Sequence, residues 1–73
     1  MPKLYSSKHV IKVLEKHKFV YISQKGSHIK YRKLGNPTLT VIIPANHREI
    51  PFGTFRSILR QAQLQEIDFK VSK

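Results

Sequence analysis

The succession of residue patterns predicts an α+β fold: a helix, a three-stranded antiparallel sheet and a second helix, αβββα. Apolar residues recur at helical spacing near the two ends of the chain, within 10–17 and 55–62. Between them lie three short segments rich in β-branched and aromatic residues. Turn chemistry at Lys25-Gly26 and Leu34-Gly35-Asn36-Pro37 separates those segments as in hairpins. Two helices of this kind cover one face of a meander and leave the other open.

Taken in order, Ser6 or Ser7 can cap a helix that runs to about Lys16. At about 100° per residue, Val10, Ile11, Val13, Leu14 and His17 share one arc, and Lys8, Lys12, Glu15 and Lys16 the other. Lys16, His17 and Lys18 suit the negative end of the helix dipole. Phe19 to Gln24 reads as a strand with apolar residues on both faces, Phe19 and Tyr21 against Val20 and Ile22, so its inner side stays open. Gly26 can take the positive φ of a tight turn. Ser27 to Lys33 then alternate, with Ser27, Ile29 and Tyr31 on one side and His28, Lys30 and Arg32 on the other. Thr38 to Pro44 forms the third strand, with Leu39, Val41 and Ile43 on one face, and Pro44 ends it. After a loop from Ala45 to Phe52, Gly53-Thr54 offers an N-cap. The following helix gathers Phe55, Ile58, Leu59 and Ala62 on one arc and turns Arg56, Ser57 and Arg60 away. Beyond Gln65, Ile67, Phe69 and Val71 alternate as in a strand, but the stretch is short and its conformation stays open.

A chain of 73 residues fits a single domain, 1–73, burying roughly 60% of the surface its unfolded form exposes. Without cysteine, neither disulfides nor thiolate-bound metal can staple it. Fourteen Lys and Arg against four Asp and Glu give a net charge of +10, and up to Arg60 only Glu15 and Glu49 oppose the basic residues. A polyanionic partner follows, with nucleic acid first. Apolar runs such as Val41-Ile42-Ile43 are far too short to cross a bilayer, and the N-terminus has no signal-peptide core, so an unexported, cytoplasmic protein is expected.

His28 shares its strand face with Lys30 and Arg32, joining a proton-transfer group to two cations suited to phosphate. RNA carries its own nucleophile, the 2′-hydroxyl, and needs little more than such a set. Lys25, Gly26 and Ser27, in the turn that presents the histidine, complete the expected RNA contacts. No metal site is expected, because the four acids are scattered and His9, His17, His28 and His47 lack the spacing of a zinc pair. Of the other histidines, His17 reads as packing, His9 as exposed and His47 as a loop residue able to help position RNA.

Gly26-Ser27-His28 with the aromatic Tyr31, followed by Glu49-Ile50-Pro51-x-Gly53-Thr54-Phe55-Arg56-Ser57-Ile58-Leu59-Arg60-Gln61-Ala62, resembles the HicA family of toxin mRNA interferases over nearly the whole chain. The resemblance implies a double-stranded-RNA-binding-domain-like αβββα fold. It also implies an endoribonuclease that cuts mRNA and is neutralised by a HicB-like antitoxin. The residue chemistry adds the expectation that cleavage needs neither metal nor cofactor, and the free toxin is expected to be a monomer. It puts the catalytic histidine on His28 and a structural helix start on Gly53 and Thr54. Lys18 and Gln63 stand where the family commonly has glycine, and the interval from Pro44 to His47 is one residue longer than its Pro-x-His. The other reading is a non-catalytic RNA-binding module in which His28 only contacts the backbone.

Overall fold

Ser6 caps the first helix, α1 (Ser7–Lys16), by accepting from the His9 backbone N–H at 3.1 Å. The computed structural model, which describes residues 4–70, gives Ser7 a different task. Its buried hydroxyl donates to the Pro44 carbonyl (2.6 Å) and accepts from the His47 N–H (3.0 Å), while its own N–H donates to the His47 carbonyl (2.9 Å). The start of α1 is thereby latched to the loop that leaves the sheet. Val10, Val13 and Leu14 are buried on the predicted arc, with Ile11 packed at its edge.

The sheet contains β1 (Val20–Lys25), β2 (His28–Lys33) and β3 (Leu39–Pro44), antiparallel and in that spatial order. The sidedness left open for β1 is settled by its register. Tyr21 pairs with Tyr31, and the rings meet edge-on at 6.0 Å, so Tyr21 lies on the helix side, while Val20, opposite Arg32, lies on the open side. A register shift between Tyr21 and Ser23 leaves Ile22 unpaired as a bulge. Tyr31, Val41 and Ile43 carry the core face.

The second helix, α2 (Phe52–Ala62), starts earlier than the Gly53-Thr54 signal suggests. Pro51, with φ fixed at −54°, precedes it, and no side chain caps it. The half-buried Phe52 ring tilts against Phe55 at 6.4 Å, so packing rather than a hydroxyl sets the helix start. Phe55, Ile58 and Ala62 are buried on the predicted face and Leu59 is half-buried. Gln61 reaches past that face, its Oε1 accepting from the Ile42 N–H at 2.9 Å and so covering part of the outer edge of β3.

The tail departs from the strand-like alternation. Glu66–Phe69 is a 3₁₀ helix, started by the Gln65 N–H donating to the Asp68 carboxylate at 2.8 Å. Phe69 is fully buried beneath Phe55 and Tyr5, while Ile67 is 68% exposed, so one anchor and not an apolar face holds the segment. Val71 lies outside the described residues. His9, expected to be exposed, is half-buried instead. It stacks on Tyr5 at 5.0 Å, and its Nε2–H donates to the Phe69 carbonyl.

Both glycine departures fall on left-handed backbone, Lys18 at φ 75° and Gln63 at φ 57°. Each sits just past a helix that closes with paired carbonyl bonds: Phe19 N–H to Leu14 and Lys18 N–H to Glu15, then Leu64 N–H to Leu59 and Gln63 N–H to Arg60. A side chain at such a φ costs about 1–2 kcal/mol, offset in part by the larger unfolded-state entropy of glycine. Gln63→Gly and Lys18→Gly are therefore each expected to raise stability by about 0.5–1 kcal/mol, or a few degrees in Tm. Chemical denaturation of the single variants checks this, and a fall in midpoint would show that the native side chains make contacts outweighing the strain.

Candidate nucleic-acid interface

The hairpin joining β1 to β2 is the local device that presents the site. Lys25 pairs with His28 across a two-residue turn, Gly26-Ser27, in which Gly26 has φ 61°. A Cβ at Gly26 would touch nothing within 4 Å, so the demand for glycine is conformational rather than steric. The turn is braced twice, by Gln24 Nε2–H donating to the Gly26 carbonyl at 3.0 Å and by the Ala45 N–H donating to the Ser27 carbonyl at 2.7 Å. The second brace ties the hairpin tip to the end of β3, where His28 also pairs with Pro44.

Period-two alternation then puts His28, Lys30 and Arg32 on the open face, about 6.8 Å apart in succession. His28 is exposed, and Lys30 and Arg32 are half-buried along their stems. Lys25, His28, Lys30, Ser23 and Ile42 together line a shallow hollow of about 300 Å³. Of the residues expected from the sequence, Lys25, His28 and Lys30 are thus brought together. Gly26 and Ser27 form the exposed turn beside them, and Arg32 lies further along the strand, its Nε–H directed at Thr40 Oγ1 at 3.4 Å.

Ser23 and Ile42 join the hollow without having been anticipated. Ser23 reaches this face because the bulge resets the alternation of β1, and a bulge leaves no mark in periodicity. Ile42 follows from register, since it pairs with Lys30, and its apolar side chain supplies a floor against which a base or ribose can rest.

On the opposite face of the same strand, Tyr31 is buried and its hydroxyl donates to a Glu15 carboxylate oxygen at 3.2 Å. Burial first, and the Glu15 charge second, push its pKa above the ordinary phenol value, so the group stays protonated and structural. His47 does not join the His28 hollow. Its Nδ1–H donates to the Ala45 carbonyl at 3.0 Å, and the residue lines a separate hollow with Ser7, Lys8, Ile29 and Arg48. Among the described residues no three His, Asp or Glu side chains gather closely enough to hold a metal ion, and no helix is long and apolar enough to cross a membrane.

What the open face can do chemically is bind a polyanion and move a proton beside it. Lys8, Lys12, Lys16, Arg56 and Arg60 are exposed on the helices, so positive charge surrounds the sheet rather than forming a lone patch. Comparison with curated proteins gives no match. The family model described as the HicA toxin of bacterial toxin–antitoxin systems matches residues 7–64, a span that holds α1, the three strands, the His28 hairpin and α2. That span covers well over half of the chain, which therefore belongs to the HicA family, the toxin of a toxin–antitoxin pair.

Proposed function

We propose that this toxin is a metal-independent endoribonuclease acting on mRNA, with His28 as the catalytic proton-transfer group. Lys25, Lys30 and Arg32 hold phosphates along the strand, and the Gly26-Ser27 turn lets the RNA backbone approach. The observation that carries the proposal is the placement of an exposed histidine, fixed by backbone pairing to Lys25 and Pro44, beside cations on an open sheet face. In the proposed step the His28 imidazole removes the proton of a ribose 2′-hydroxyl. The 2′-oxygen bonds to the adjacent phosphorus as the bond from phosphorus to the 5′-oxygen breaks, and the 5′-oxygen takes a proton from the imidazolium or from water. The products are a 2′,3′-cyclic phosphate and a 5′-hydroxyl end. Lys25 and Lys30 offset charge on the phosphoryl oxygens as the bond order changes.

One observation favours the second reading, a non-catalytic RNA-binding module. Among the described residues nothing hydrogen-bonds the His28 ring, so no partner sets its tautomer as a general base normally requires. In the catalytic reading the bound RNA supplies that orientation. Cleavage of a labelled RNA in the presence of EDTA separates the alternatives: undiminished cutting is expected. Activity lost on chelation and restored by a divalent ion would move the chemistry to metal-assisted hydrolysis, and no cutting under any condition would leave the binding module.

The phosphate contacts have their own test. In a His28→Ala background, where cutting cannot deplete the ligand, Lys30→Gln together with Arg32→Gln should weaken binding to all RNA sequences alike. The slope of log affinity against log salt should fall by about 0.7 per contact, roughly 1.4 for the pair. A loss confined to one RNA sequence with an unchanged slope would mean that these side chains read bases instead.

A further inference from the structure

The two outer edges of the sheet are treated differently. β3 has Gln61 bonded to the Ile42 N–H, ends in Pro44 and lies under α2. β1 pairs with β2 alone, all six of its residues are exposed, and among the described residues no side chain bonds its outer backbone. Three consecutive large apolar residues also stand in solvent there: Val20 is 55% exposed, Tyr21 56% and Ile22 40%. Scattered apolar residues on a surface are ordinary, but a run of them on an unprotected edge strand is a template for pairing.

The surroundings of this edge select among occupants. Lys16 and Lys18 precede it, Lys25 ends it, and Lys33 extends over the Phe19 ring at its start, 5.9 Å from the centroid. Glu15, which precedes β1 at the end of α1, is engaged by the Tyr31 hydroxyl. A second copy would bring another +10 chain and another set of these lysines to the same seam. The bulge at Tyr21/Ser23 further limits flat pairing to a short stretch, which disfavours indiscriminate edge-to-edge association.

We propose that β1 is the docking strand for the antitoxin. An extended, acidic segment of the antitoxin adds to the sheet beside β1, seats apolar side chains on Val20 and Ile22, and pairs carboxylates with Lys18 and Lys25. Val20 lies opposite Arg32 on the open face, so a partner anchored there stands next to the basic surface and can cover it. The proposal rests on the antitoxin partnership of the family and not on catalysis by His28.

The test uses the full chain and its cognate antitoxin, purified after co-expression. In calorimetric titration, Val20→Lys with Ile22→Lys should weaken the complex by at least about tenfold, because two interface anchors are lost. Both substitutions add positive charge, so an antitoxin held only by general electrostatic attraction would bind as well or better, and that result would overturn the proposal. Circular dichroism verifies the fold of the variant without recourse to RNA cleavage. Hydrogen exchange on the wild-type chain needs no variant: the outward-facing amides between 20 and 25, those not already directed at β2, should gain protection in the complex, and their unchanged exchange would equally overturn it. Sedimentation of the toxin alone should show no dimer, and a dimer abolished by the same substitutions would assign this edge to a second copy instead.

Discussion

Phe69→Ala should remove about 3–5 kcal/mol of stability, the range for truncating a buried aromatic side chain. The ring is fully buried, meets Phe55 edge-on at 5.1 Å and tilts against Tyr5 at 6.3 Å. Its backbone carbonyl also accepts from His9, so loosening the segment exposes a polar contact on α1 as well. At about 0.05–0.15 kcal/mol per residue, a chain of 73 residues has on the order of 4–11 kcal/mol in total, and this one change can consume much of it. Urea denaturation is the measurement, and a loss below about 1 kcal/mol would show that the tail does not complete the core. Tyr5 and Phe69 both lie outside the span matched by the family model, residues 7–64, yet both belong to the buried cluster. The matched span accordingly lacks two of the aromatic rings that close its own core.

Where one periodic signal dominates, the sequence is enough to place the element. Val10, Val13 and Leu14 on α1, Tyr31 on β2, Val41 and Ile43 on β3, and Phe55, Ile58 and Ala62 on α2 are buried as their spacing requires. The same alternation puts His28, Lys30 and Arg32 together on one side of β2. What remained was decided by long-range pairing or by single local contacts that leave no periodic signal. The inner side of β1 depends on its register with Tyr31, Ser23 reaches the site through a bulge, and the start of α2 is governed by Pro51 and the Phe52 ring rather than by Thr54. Ile67 and Phe69 alternate like a strand, yet a local Gln65–Asp68 bond and a single buried ring hold a 3₁₀ turn. Ser7 shows the limit most plainly, since nothing local distinguishes it from Ser6. Only the approach of residues 44–47 makes one serine a cap and the other a latch.

His28→Ala should lower RNA cleavage by about 10²–10⁴-fold, the usual contribution of a positioned acid–base group. The fold should tolerate the change, because the side chain is exposed and its placement comes from backbone pairing to Lys25 and Pro44. Binding should fall far less than cleavage, since the neighbouring cations proposed to hold phosphate remain. The deciding measurement is the single-turnover rate on one labelled RNA for wild type and His28→Ala, with protein in excess and the fold of both matched by circular dichroism. A drop of at least about a hundredfold in rate, with RNA affinity within a few-fold of wild type, is the result expected of a catalytic histidine. An unchanged rate in the folded variant would contradict it and remove His28 from the chemistry.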